Sequence, residues 1–293
     1  MKIDLHVHSR ASDGKMSVEK IFQEAARRKI DVISITDHDS LDSQEAAKQC
    51  ADAYGIGYLT GIELNVTYAH PGYKNGKSIS LDFLGYQYDI YDKPLREKLL
   101  KLREYREKRA EKILQNLNLE FQKSHLPAFA RADLQAIQDS VDGSLGRPHI
   151  ADYLIRKGIV KDRKEAFDKF LVKCNVPKMP LSLAEASSLI RKAGGKLFFA
   201  HPANPRGTSL VSLGASIEEQ QRIIEEDMLP HLDGIECWHS SYDRQTSDAY
   251  LKFAKKLGLW KSGGSDCHQQ PVLMGSVDVP ACVAKQFGFY PKP

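Results

Sequence analysis

Residues 3–39 read IDLHVHSRASDGKMSVEKIFQEAARRKIDVISITDHD, and this stretch decides the fold class. Ile3–Val7 is a short, largely apolar segment ending between two histidines, and Ser12-Asp13-Gly14 follows as a turn. Val18, Ile21, Phe22, Ala25 and Ala26 then recur at helical spacing. Asp31–Thr36 is β-branched and continuously apolar at its centre, as a strand covered on both faces should be. Strand, helix and strand in so short a span predict a βαβ unit with parallel strands.

The alternation continues outward. A helix is predicted over Ser43–Ala53, closed by Gly55, and strands over Gly57–Tyr68 and Ser78–Tyr88, joined by the turn-rich His70-Pro71-Gly72-Tyr73-Lys74-Asn75-Gly76. Gly195–His201, Gly234–Trp238 and Trp260–Gly263 read as further strands, each preceded by a helical stretch. Between about 94 and 185 no strand pattern interrupts the helical ones, at Pro94–Asn118, Arg131–Ile137, His149–Lys157 and Lys164–Val172. The expected organisation is an α/β core from 1–93 and 186–293, with a helical insertion domain over 94–185 that lids it.

Composition agrees with one interrupted domain. The chain has 293 residues, 42% apolar and 27% charged, which excludes disordered, collagen-like and low-complexity classes. Met1-Lys2-Ile3-Asp4 carries charge where a signal peptide needs apolar residues, and no apolar run approaches the ~18 residues of a membrane span. Five scattered cysteines without a CxxC read as reduced thiols, so a cytoplasmic protein without membrane attachment or an obligate protein partner is expected. The net charge is only +4, yet Arg96–Lys112 alone holds eight bases against four acids. That helix is either a solvated face stitched by i,i+4 pairs or a surface that guides a polyanion.

The histidines and carboxylates carry the chemistry. His6 and His8 are two apart on one strand and so point to one face. Asp13, His38, Asp39, Glu63, Asp82, His201, Glu236, His239, Asp266 and His268 all fall on predicted strands, at their carboxyl ends or on the turn just beyond. Singly, each suits a turn or a cap. Collected on the rim where parallel-strand folds build their sites, without lysine or arginine among them, they repel one another unless cations neutralise them. Bound divalent metals do so. Imidazole with carboxylate and no thiolate set suits Mn2+, with Fe2+, Zn2+ or Mg2+ as alternatives. The donors outnumber one ion's needs, so two or three ions are expected. Cys267, between two candidate ligands, is expected to be packing.

Asp4-Leu5-His6-Val7-His8-Ser9, Ser12-Asp13-Gly14, Thr36-Asp37-His38-Asp39, Gly61-Ile62-Glu63, Ala200-His201-Pro202, Gly234-Ile235-Glu236 and Gly263-Gly264-Ser265-Asp266-Cys267-His268 form an ordered series. In it the chain resembles the PHP (polymerase and histidinol phosphatase) family of metal-dependent phosphoesterases. The insertion, with Gly146-Arg147-Pro148-His149-Ile150-Ala151, is similar to the branch of nucleoside 3′,5′-bisphosphate phosphatases and 5′-to-3′ exoribonucleases. The resemblance implies a distorted (β/α)7 barrel and a trinuclear metal centre. His6, His8, Glu63 and Asp266 would hold one metal; Asp13, His38 and His268 a second; Glu63, His201 and position 82 a third. That branch has His where this chain has Asp82, which favours harder ions, and His70 nearby reads as a plain loop histidine.

The resemblance also makes Arg147, His149, Arg206 and Lys178 candidate phosphate contacts. The expected activity is hydrolysis of a nucleotide phosphomonoester, the 3′-phosphate of a nucleoside 3′,5′-bisphosphate, by in-line attack of a metal-bridging hydroxide. Asp13, His38 and Arg147 would serve the catalytic step, with Asp39 or His239 as general acid. A 5′-to-3′ exonuclease on short RNA or DNA is the alternative, with Arg96–Lys112 as its track. A non-catalytic metal-binding regulatory module is the alternative of another class, and the long insertion argues against a histidinol-phosphate phosphatase.

Overall fold

A computed structural model describes residues 1–140, 145–205, 208–268 and 272–290. The opening βαβ unit forms as its pattern requires. β1 (Ile3–Val7) and β2 (Val32–Ile35) are wholly buried and pair in parallel. Between them α1 (Val18–Arg27) starts at Ser17, whose hydroxyl accepts the Lys20 N–H, and buries Ile21, Phe22 and Ala25. α2 (Gln44–Tyr54) ends on Gly55 in the left-handed region, φ 64°, and leads into β3 (Gly57–Tyr58), parallel to β2.

The single strand expected over Gly57–Tyr68 is broken in two. β3 closes the first sheet, β1-β2-β3, while β4 (Gly61–Tyr68) opens a second sheet. The break falls where the chain crosses β2 at close quarters: a Cβ on Gly61 would lie 2.1 Å from the Ser34 hydroxyl oxygen. Gln44 satisfies the backbone left over there, donating to the carbonyls of Ile35 and Gly61 at 3.0 and 2.8 Å.

The second sheet runs β4, β5 (Ile79–Tyr86), β6 (Lys196–Phe199), β7 (Gly234–His239) and β8 (Trp260–Gly264). β4/β5 and β5/β6 are antiparallel, and the remaining pairs are parallel. The fold is mixed α/β. The described residues form eight strands in two sheets. The sheets meet through isolated bridges, Val7 with Cys267 and His38 with Glu63. The reversal comes from the 68–79 connection, a short hairpin loop with no crossover helix to return the chain in parallel.

α3 (Lys93–Lys123) starts at Asp92, whose carboxylate accepts the Leu95 N–H at 2.9 Å, and runs a full turn beyond the expected Asn118. Its first turns bury Leu95, Leu99 and Leu102 in the main core. Further on, Ile113, Leu117 and Phe121 join a second cluster with Ile150, Leu154, Phe170 and Leu171. That cluster is completed by α4 (Arg131–Gln138), α5 (Arg147–Arg156), α6 (Arg163–Ala166) and a π-helical turn over Phe167–Leu171. α7 (Leu183–Lys192), α8 (Ile217–Ile223), α9 (Arg244–Lys256) and α10 (Ala281–Gln286) cover the sheets. No helix among the described residues is long and apolar enough to cross a membrane.

Candidate metal centre

The two sheets bring their histidines and carboxylates to one place. His6 lies on β1 and His8 just beyond it, while the Ser12–Gly14 turn folds back so tightly that a Cβ on Gly14 would lie 2.3 Å from the His8 carbonyl oxygen. Asp37 ties this turn down, accepting the Ser9 N–H at 2.7 Å and the hydroxyls of Ser9 and Ser12 at 2.6 and 2.7 Å. Asp4 does the same on the opposite seam, accepting from the Ser265 N–H and hydroxyl and from the Gly275 N–H at 2.8, 2.6 and 2.7 Å. His201, Asp266 and Asp39 take φ values of 28°, 54° and 47°, left-handed backbone that non-glycine residues rarely hold.

Among the described residues, three groups could each hold an ion: His6, His8, Glu63 and Asp266; His8, Asp13, His38 and His268; and His38, Glu63 and Asp82. His6 Nε2 lies 3.3 Å from Glu63 Oε2 and 3.4 Å from Asp266 Oδ1; His8 Nε2 lies 3.2 Å from both of these oxygens. His38 Nδ1 is 3.2 Å from Glu63 Oε2, and His268 Nε2 is 3.1 Å from Asp13 Oδ1. Several of these approaches lack hydrogen-bond alignment: His6 Nε2, Asp13 Oδ1 and Glu63 Oε2 are buried polar atoms without a hydrogen-bond partner. Their lone pairs converge on shared points instead of on one another, which is how donors to a common cation stand. The donor set fits divalent metals. His201 Nε2 approaches Glu63 Oε1 at 3.0 Å, leaving its buried Nδ1 without a hydrogen-bond partner. Cys267 is buried in the core beside Val7 and Met274.

Outer contacts orient the donors. The Nδ1–H of His6 donates to Glu236 Oε1 at 3.1 Å, which aims Nε2 at the cluster, and Glu236 Oε2 accepts the His201 N–H at 2.8 Å. His239 accepts the Ser241 N–H on Nδ1 at 3.1 Å, so its Nε2–H faces Asp266 Oδ2 at 3.3 Å. Asp39 pairs with Arg106 and accepts the Asn65 N–H at 3.1 Å. Both residues read as general-acid candidates are thus engaged behind the donors. His70 stands apart on the 68–79 loop, 3.8 Å from Asp227.

A cavity of about 440 Å³ opens above the donors. Its walls include Asp13, His38, Glu63, Asp82, Asp266 and His268 together with Arg106, Arg109, Arg147 and Lys178. Arg109 is anchored on the Val176 carbonyl and Asn175 at 2.6 and 2.7 Å, and Arg147 lies over the Phe167 ring, 5.2 Å from its centroid. Lys178 donates to Asn65 Oδ1 at 2.7 Å, and Asn65 in turn donates to Asp82. Burial, reinforced by the three arginines against the pull of Asp82, lowers the Lys178 pKa to about 8. Both nitrogens of His149 are occupied: the Gly146 N–H donates to Nδ1 at 3.0 Å and Nε2–H donates to the Ser12 carbonyl at 2.9 Å. Arg206 lies outside the described residues.

Arg106 and Arg109 also line the cavity, and the sequence of α3 carries a signal for them. The buried stripe of α3 runs Leu95, Leu99, Leu102, then Ala110, Ile113 and Leu117, and the two arginines occupy the gap in it. Other bases of this helix meet acids: Lys98 pairs with Glu185 at 2.8 Å and Arg103 with Asp42 at 3.0 Å.

The PHP domain profile matches residues 4–169. The chain is 27% identical over 278 residues to the 3′,5′-nucleoside bisphosphate phosphatase of Chromobacterium violaceum, covering 91% of this chain and 87% of that one. To the 5′-3′ exoribonuclease Rnm of Salmonella typhimurium it is 25% identical over 271 residues, covering 91% and 85%. A structure from Bifidobacterium adolescentis, described as a candidate metal-dependent phosphoesterase, superposes with a TM-score of 0.79 at 24% identity over 97% of this chain and 94% of that one.

Proposed function

The chain belongs to the PHP domain family of metal-dependent phosphoesterases, and from that premise we propose that it removes the 3′-phosphate of a nucleoside 3′,5′-bisphosphate. The observation that carries this reading is that one cavity is lined both by the carboxylates and imidazoles of the candidate metal centre and by Arg106, Arg109, Arg147 and Lys178. A ligand with two anionic groups suits such a lining, one group at the metals and one at the arginines.

We assign His6, His8, Asp13, His38, Glu63, Asp82, His201, Asp266 and His268 as ligands to two or three divalent ions, Mn2+ foremost. Such ions supply an activated water and Lewis acidity at phosphorus when bound. The protein does the rest. Arg147, Arg109 and Lys178 hold the non-reacting 5′-phosphate, and Arg106, fixed by Asp39, balances charge between the two phosphates. Glu236 and His239 keep His6 and Asp266 aimed. The division from 94 to 185 makes the insertion the lid that brings the arginines over the centre.

Arg147→Ala, assayed on adenosine 3′,5′-bisphosphate and on p-nitrophenyl phosphate, tests the reading. KM for the bisphosphate should rise about tenfold or more while the aryl phosphate changes little. Equal effects on both would remove Arg147 from recognition of the second phosphate.

A further inference from the structure

Asn65 lies in the cavity wall between a candidate metal ligand and a cation. It follows Glu63 by two residues on β4, so the two side chains share a face. In the register of the second sheet it sits directly opposite Asp82 on β5. Its backbone N–H turns away from β5 and donates to Asp39 Oδ1 at 3.1 Å, on the carboxylate that also pairs with Arg106. Asn65 and Asp82 are thus a cross-strand pair without mutual backbone bonds, the arrangement that brings opposite side chains closest. The Asn65 amide then bridges two charges. Its Nδ2–H donates to Asp82 Oδ1, and its Oδ1 accepts from Lys178 Nζ at 2.7 Å. An ammonium only donates and a carboxylate only accepts, so the amide, which does both, is oriented by its neighbours.

We infer, resting on the phosphoesterase reading above, that Asn65 is a positioning residue: a neutral spacer that keeps the Lys178 ammonium and the Asp82 carboxylate from pairing with each other. It thereby leaves Lys178 for the anion of the substrate and Asp82 for a metal ion. Asp82 is buried and Lys178 half-buried. Opposite charges so poorly solvated attract strongly and close into a direct ion pair unless something holds them apart. In such a pair Lys178 would spend its charge on Asp82. Asp82 in turn would commit to the ammonium the lone pairs that, with His38 and Glu63, make up one of the candidate ion sites. The amide prevents this at the expense of a single hydrogen bond from each partner. Lys178 keeps two N–H donors, and Asp82 keeps an oxygen. A side chain at position 65 that neither donates nor accepts would let the two charges meet.

The test measures Mn2+ binding by equilibrium dialysis without substrate, and KM for adenosine 3′,5′-bisphosphate, in the wild type, Asn65→Leu, Lys178→Met and the double variant N65L/K178M. In Asn65→Leu at least one Mn2+ should bind about tenfold more weakly, and KM should rise about tenfold. Lys178→Met should raise KM and leave Mn2+ affinity within about twofold of wild type. In the double variant Asp82 has no ammonium to pair with, so Mn2+ affinity should return to within about threefold of wild type while KM stays raised. Asn65→Ser, too short to bridge, takes the place of Asn65→Leu if the leucine variant does not fold, with the same expectations. Wild-type Mn2+ affinity in the single variant at position 65 overturns the inference. So does a double variant as weak as that single variant, since Asn65 would then act on Asp82 alone. If the wild type binds Mn2+ but hydrolyses no bisphosphate, the phosphatase reading falls and the dialysis still decides the spacer. If it binds no Mn2+, both fall.

Discussion

Glu236 holds His6 and His201, two of the residues we propose as metal ligands. Its carboxylate holds the His6 ring on one oxygen and the His201 backbone on the other. Glu236→Gln should therefore weaken metal binding about 10- to 100-fold while the far-UV spectrum stays native, measured by equilibrium dialysis against Mn2+. Unchanged affinity would make Glu236 a packing residue. Asp13→Ala and His268→Ala should each abolish bisphosphate hydrolysis without unfolding the chain. The imidazoles also give a pH signature in the metal-free protein. Burial pulls His8, His201 and His268 toward neutrality, but carboxylates around them outweigh it and raise their pKa to about 9, 9 and 10. Stability from these raised groups is complete below their unfolded value of about 6.5 and is lost as pH rises through 9–10. Metal-free protein should thus lose Tm between pH 6.5 and 10, and metal loading should release protons in calorimetry across that window. A flat Tm profile after chelation would contradict the assigned environment. At this scale the sequence shows which residue types gather on the rim. It does not show that Glu236 and His239 stand behind the ligands, because strand alternation fixes a face and not a depth.

α3 carries the prediction at the scale of elements. Its helical pattern and its charge are legible in Pro94–Asn118, and so is the gap in its apolar stripe at Arg106 and Arg109. Which bases turn inward depends on where the helix lands on the sheets, and that placement is set by Leu95, Leu99 and Leu102 entering the main core. Arg106→Met strands buried Asp39 and should cost about 3 kcal/mol of stability. The double variant D39N/R106M should regain most of that loss in chemical denaturation but keep a raised KM for the bisphosphate. Recovery of KM together with stability would show that Arg106 serves the fold alone. The break between β3 and β4 is less legible. Gly57–Tyr68 alternates well enough to read as one strand, and the crossing over Ser34 and the plugging by Gln44 are long-range contacts invisible to local pattern.

For the whole molecule, the candidate metal centre lies where the two sheets are joined. The first sheet's strands and the loops after them supply His6, His8, Asp13 and His38; the second supplies Glu63, Asp82, His201, Asp266 and His268. The His38–Glu63 bridge marks that seam. Ions bound across it link the halves of the fold, so metal at a hundredfold excess over its Kd should stabilise by about 2.7 kcal/mol, and chelation should lower Tm accordingly. The βαβ opening and the ordered motifs make the α/β class and the rim legible. The division into two sheets is not legible, since it depends on which strand edges meet after folding.

The most direct measurement is product analysis on adenosine 3′,5′-bisphosphate with protein stripped by chelator and then reloaded with Mn2+, Fe2+, Zn2+ or Mg2+. The account predicts no hydrolysis by stripped protein, and on reloading equal amounts of inorganic phosphate and adenosine 5′-phosphate. Hydrolysis unaffected by chelation, adenosine 3′-phosphate as the product, or no hydrolysis with any of the four metals would contradict it.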